Sequence, residues 1–207
     1  MTTILNIPLK ALDGKTIREL KKKYPEAMIR IEAELNEQDS PSMTEDQFWA
    51  IIDQMDWTKV NSDEILRPAI VALSQFAISD IYLFHDILAQ KLFLLDGKKY
   101  AEHTGSNRYS DPSLSSFSAD TFLYARCCVV ANGRDFFQKV LEVPSSMPKE
   151  FTFESLLYLP EEAFRLKTGK KNYDYTPPIW FETFSNPEGW PGIVPLNERL
   201  AADNEKT

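Results

Sequence analysis

The sequence predicts a mainly helical protein: a multi-helix domain with a small N-terminal βαβ segment and an extended, aromatic and proline-rich C-terminal strap. Three observations lead there. Between about residues 44 and 169, apolar side chains recur at helical spacing behind recognisable cap residues. The first 36 residues place one short helical pattern between two β-forming runs. From residue 170 on, rings and prolines dominate, and proline forbids a regular helix.

In the first segment, Thr3 to Leu9 reads as a strand. Asp13 can cap a helix to about Lys23 with Ile17 and Leu20 inward, and Met28, Ile29, Ile31 and Leu35 mark a second strand. A short helix between two strands favours a right-handed crossover and a parallel pair. Two strands alone make a marginal sheet, so a third is expected. It would come from the strap near Trp180 to Thr183, or from the same segment of a second molecule across a two-fold axis in a homodimer.

A polar stretch with Pro41 then links to the helical domain at 44–169. Thr44 to Gln47 forms a capping box and opens a helix with Phe48, Trp49, Ile51, Ile52 and Met55 inward. A second helix is expected from about Ser62 to Phe76, broken or kinked at Pro68. A third, from about Ser79 to Asp96, keeps Ile81, Phe84, Leu88, Leu92 and Leu95 in period. A serine-rich loop at 105–118 follows, and Ser118 caps a helix to about Asn132. That helix is apolar on nearly every side, which places it at the centre of the core. Asn132-Gly133 marks a tight corner before a short helix from Asp135 to Val143. A last helix is expected from a Thr152 cap, interrupted at Pro160 and closed by Gly169. The strap, 170–193, should lie on the domain with Trp180, Phe181 and Phe184 buried, and 194–207 should be disordered.

Composition narrows the function classes. The chain has 207 residues, 43% hydrophobic and 26% charged, which is globular, and a formal charge of −8, which disfavours nucleic acid. The lysines at 21–23 and 167–171 fall near helix C-termini, where they complement the macrodipole. No apolar run is long enough to span a membrane, so no membrane association is expected. Cys127 and Cys128 are adjacent and lie in the most apolar run, which reads as reduced core thiols. With no apolar signal region, a cytoplasmic location is expected. Phosphate cradles, nucleophile elbows and zinc motifs do not occur, so neither cofactor nor metal is expected.

The residue that stands out is Arg126, a charge inside the apolar helix. An unpaired buried charge is too costly to keep. It must reach solvent, meet a carboxylate, with Asp53 or Asp120 favoured and Glu162 a further candidate, or clamp an anion with Arg134 close by. Asp53 follows Trp49 by one helical turn and could equally accept from the Trp N–H. His85 reads as a core or boundary residue, and Tyr124, on the same helix as Arg126, is a secondary candidate.

Phe48-Trp49 followed by Ile52-Asp53 resembles the FWxxID opening of the bacterial domain of unknown function family 4240. Ser118 to Arg126 with Val129 to Phe137 resembles its second block, and Glu154 to Tyr158 through Ala163-Phe164 and Lys167 to Gly169 its closing helix. The resemblance covers about Thr44 to Gly169. It implies the helical fold and the register of Asp53, Asp120, Arg126 and Gly133, but no reaction. The N-terminal segment and Cys127-Cys128 depart from the family pattern. The expectation is a non-enzymatic accessory or interaction protein, immunity-like or regulatory, with an unknown protein partner. The alternative is an anion binder or enzyme with an arginine–carboxylate pocket around Arg126.

Overall fold

Thr44 starts the helical body as its sequence requires. Its hydroxyl accepts from the Gln47 amide while the Gln47 side chain accepts from the Thr44 amide, and helix α2 (Glu45–Ile52) runs on from that box. The computed structural model describes residues 14–24, 42–110 and 117–192. The chain divides after Asn36. In the first unit, helix α1 (Gly14–Lys23) ends on Lys21, Lys22 and Lys23, close to the expected limits. The two strands expected around it lie outside the described residues, and so does the tail at 194–207. No strand occurs among the described residues.

The second unit is built from α2, α3 (Ser62–Ser74), α4 (Ile78–Leu94), the single turn α5 (Lys98–Ala101), α6 (Ala119–Ala131), α7 (Arg134–Glu142) and α8 (Leu159–Thr168). α6 is the central rod. It packs against α4, α7 and a tight turn at Glu154–Tyr158, while α8 lies across α3 and α4. Ser118 caps α6 through the Thr121 amide, and eight of its side chains are buried. Phe48, Phe84, Phe122 and Phe137 fill the space around it with no exposed surface beyond 1%. Cys127 is buried and Cys128 partly so, both as free thiols. Burial pushes the Cys127 thiol up to about 12.

Neither Pro68 nor Pro160 breaks a helix. α3 continues through Pro68 without a break. The carbonyl that loses its donor belongs to Glu64, an exposed residue that water can serve. Pro160 does not interrupt a helix capped by Thr152. The Glu154–Tyr158 turn leads into α8, and Pro160 sits in its first turn, where the missing N–H has no intrahelical partner. Gly169 closes α8 in the left-handed conformation, φ 69°. Lys167 in the last turn of α8 donates to the Ser74 carbonyl at 3.3 Å, so it also serves the end of α3.

Beyond Gly169 the chain is an extended strap with two anchorages. Tyr173 and Tyr175 lie on α4 and α8, where Tyr175 stacks on Tyr82 at 4.2 Å with the planes 7° apart. Further on, Trp190 is 1% exposed and packs on Phe184, Tyr109 and Phe122. Phe181 and Phe184 are partly buried. Trp180, expected inside, is 50% exposed. From 173 to 180 the chain alternates partly buried and exposed residues, and Trp180 falls on the outward phase. Among the described residues, no helix is long and apolar enough to cross a membrane.

Candidate functional site

The sequence candidates separate into three places. The first is the buried junction of α4, α6 and the strap. Arg126 has no exposed surface. Its Nη1 donates to the Leu92 and Phe181 carbonyls, each at 2.9 Å, and its Nη2 donates to the Thr183 hydroxyl at 2.9 Å. Thr183 in turn donates to the Ala119 carbonyl at 2.7 Å. The guanidinium lies 4.9 Å from the centre of the Phe122 ring, a cation–π contact. Its Nε finds no partner among the described residues.

The carboxylate beside Arg126 is Asp96, at 3.9 Å, rather than Asp53 or Asp120. Asp96 is itself fully buried. Its Oδ1 accepts from the Phe184 amide at 3.2 Å and from Trp190 Nε1 at 2.8 Å, and its Oδ2 from the Ser185 and Asn186 amides at 2.8 and 3.0 Å. Four donors from the strap thus converge on one carboxylate. Burial pulls the Arg126 pKa down and the charge of Asp96 opposes the fall. Burial raises the pKa of Glu182 on the strap, against the opposing charge of Arg126. Next to Asp96 the strap crosses the segment after α4 at contact. Lys98 donates to the Gly189 carbonyl at 2.8 Å, and a Cβ at Gly189 would lie 2.1 Å from the Asp96 carbonyl oxygen. Only glycine fits that crossing.

Asp120 is exposed in the first turn of α6, where its charge favours the helix N-terminus. Tyr124 is partly buried on the same helix, its pKa raised by burial and by Glu154.

The second place is a groove of about 400 Å³ where the end of α2 meets the α6–α7 corner. Trp49, Asp53, Asp46, Arg134 and Asp135 line it, with Asn132 and Gly133 at its bend. Arg134 is therefore remote in role from Arg126 and is tied to Asp46. The Trp49 N–H donates to Glu45 at 3.2 Å, not to Asp53. Glu45 is held below its ordinary pKa, chiefly by Lys91, whose ammonium lies 2.7 Å away. Gly133 takes φ 87°, ψ 176°, and a Cβ there would approach Asp53 Oδ1 to 3.1 Å. This lets the carboxylate sit against the backbone corner.

The third place is around His85. Its Nδ1 lies 3.1 Å from the Tyr173 hydroxyl, and burial pulls its pKa down to about 4. The neighbouring Asp86 accepts from the Tyr175 hydroxyl at 2.8 Å, and burial raises its pKa. Among the described residues, no group of three or more His, Cys, Asp or Glu is arranged to hold a metal ion.

Asp96 and Thr183 were missed by sequence reasoning. One signal was available for Asp96. A carboxylate just past the C-terminus of α4 faces the negative end of the helix dipole, so it calls for strong donors nearby. Nothing local marks Thr183, which acts through a contact 57 positions away.

The fold and these three places define a mainly helical domain organised on a buried arginine–carboxylate junction. The chain belongs to the family described as protein of unknown function DUF4240, whose model matches residues 43–166. No curated protein and no solved structure gives a significant match. The strap that completes the junction lies beyond the matched residues.

Proposed function

We propose that this is a non-enzymatic, cytoplasmic interaction protein whose groove at the α6–α7 corner receives a positively charged segment of another protein. One observation carries the reading: Arg126, the side chain best suited to clamp an anionic substrate, is sealed in the core and bonded to the chain's own strap. That weighs against the alternative of an anion-binding or catalytic pocket around it. The groove offers an accessible, mixed surface instead. Three carboxylates, Asp46, Asp53 and Asp135, line it with Arg134, which is already paired with Asp46; Ala50 supplies exposed apolar surface over a floor that includes the buried Trp49. Opposite charges at such a rim speed and orient association more than they tighten it.

The test is capture from native extract by the wild-type chain and by Asp53→Lys with Asp135→Lys, both exposed positions that leave the core intact. The reading expects a protein retained by the wild type, lost with the reversed charges and released by salt, with equal melting temperatures for the two baits. Capture indifferent to the charge reversal, or saturable binding of a small anion that needs Arg126, would overturn it.

A further inference from the structure

The strap is held in an unusual way. Between Phe181 and Trp190 its amides, one carbonyl, one hydroxyl and one indole meet two charged side chains of the helical body, Asp96 and Arg126. These two charges form an ion pair at 3.9 Å, beyond hydrogen-bond distance. The strap supplies all four donors to Asp96 and, together with the Leu92 carbonyl of α4, the acceptors of Arg126. We propose that residues 172–190 form a flap that opens as a unit from an intact helical body, with Asp96 and Arg126 as a two-position latch. With the flap closed, both bind the strap. With it open, the guanidinium and the carboxylate close the short gap and bind one another.

The second arrangement makes opening accessible. Removing the partner of a buried charge ordinarily strands that charge in the core. Here the two stranded groups have opposite sign, and a guanidinium and a carboxylate match in geometry. Water entering with the open flap serves their remaining donors and lone pairs. The strap also lacks a secondary-structure ladder of its own. Its backbone bonds are the turns at Ser185 and Gly189 and the crossing at Lys98, so it can leave without unravelling a helix. The Tyr173 and Tyr175 anchorage is likewise made by side chains, to His85, Asp86 and Tyr82. Local opening units of this kind are drawn from segments with few internal backbone bonds.

Amide hydrogen exchange on the full chain, followed residue by residue across low denaturant concentrations, tests the flap. The amides of Phe184, Ser185 and Asn186 should share one opening constant, at least about 100-fold larger than that of the α6 amides, with a denaturant dependence well below that of α6 but above zero, because Trp190 and the tyrosine anchors leave the core with the flap. Exchange of the three at the α6 rate, with the α6 denaturant dependence, would overturn the proposal, since the strap would then leave only in global unfolding. The latch is tested with Thr183→Val, which keeps the side-chain volume and removes the hydroxyl between Arg126 and Ala119. Strap opening should rise about tenfold while α6 protection holds. An unchanged strap rate in that variant would overturn the latch.

Discussion

Asp96→Asn is the substitution with the largest expected consequence for its size. It is nearly isosteric and leaves Oδ1 as an acceptor, so the packing of Trp190 and the strap is kept. What it removes is the negative charge 3.9 Å from Arg126, in a place where neither group has exposed surface. Arg126 stays protonated even when burial lowers its pKa, so the variant strands a cation. The amide also presents two donors towards the Ser185 and Asn186 amides, where Oδ2 had accepted from both. Removing one partner of a buried pair costs about 3–5 kcal/mol. For a chain of this size that corresponds to a fall of roughly 6–20 °C in melting temperature. Urea titration followed by circular dichroism, with m-values compared, is the measurement. Arg126→Met should cost less than Asp96→Asn, because Asp96 keeps its four strap donors when the cation is gone. The double variant should recover part of the Asp96→Asn loss. A loss within about 0.5 kcal/mol for Asp96→Asn, the range of ordinary surface changes, would refute the argument.

Three further outcomes follow from the same geometry. His85 is held neutral, so its contribution is present above the unfolded value of 6.5 and is lost as pH falls from there through about 4. The full shift would be worth about 3 kcal/mol, reduced by the solvent that still reaches the partly buried ring. Melting temperatures between pH 7 and 4 should fall more steeply for the wild type than for His85→Gln, and parallel curves would show that His85 does not carry the dependence. Gly133→Ala should cost about 1–3 kcal/mol, because φ 87° with ψ 176° is a region almost reserved for glycine and the new Cβ would crowd Asp53. Gly169→Ala, with open space around it, should cost less in chemical denaturation, and the reverse order would count against the strain. Trp190→Ala should cost about 3–5 kcal/mol and the half-exposed Trp180→Ala far less, a contrast that thermal melts resolve and that equal losses would contradict.

The elements that depend on neighbours in sequence were legible, and those set by distant contacts were not. The Thr44–Gln47 box, the Ser118 cap, the Asn132-Gly133 corner and the Gly169 stop are local devices, and each appears where its residues demand it. The all-round apolar character of α6 announced its burial before any packing was known. Pro68 misled because the cost of a proline in a helix depends on whether water reaches the abandoned carbonyl, a matter of tertiary exposure. That Arg126 needed company was equally clear from the run it sits in. Which carboxylate supplies it was not, because Asp96 lies just past the end of α4, 30 positions earlier, and its donors come from the strap, 88 to 94 positions beyond Asp96. Asp53, one helical turn from Trp49, carried a stronger local signal and proved to face a groove instead.

A helix with apolar residues on every side has a particular difficulty: nothing in its hydrophobic pattern says which face should meet which neighbour. α6 carries one side chain that breaks the degeneracy. Rotating the helix by one residue would carry the Arg126 guanidinium about 100° away from Leu92, Thr183 and Asp96 and leave it without acceptors in a dry core. The arginine thus fixes the rotation of α6, and through Asp96 it also fixes where the strap crosses. Buried ionic groups add little net stability against well-packed apolar replacements, but they exclude alternatives. On this argument Arg126→Met with Asp96→Leu can leave an equally stable chain while losing the single arrangement of the strap. Such a variant should keep its helical signal and broaden the backbone resonances of residues 181–190 in NMR spectra. A sharp, unchanged set of strap resonances would show that ring packing alone dictates the crossing.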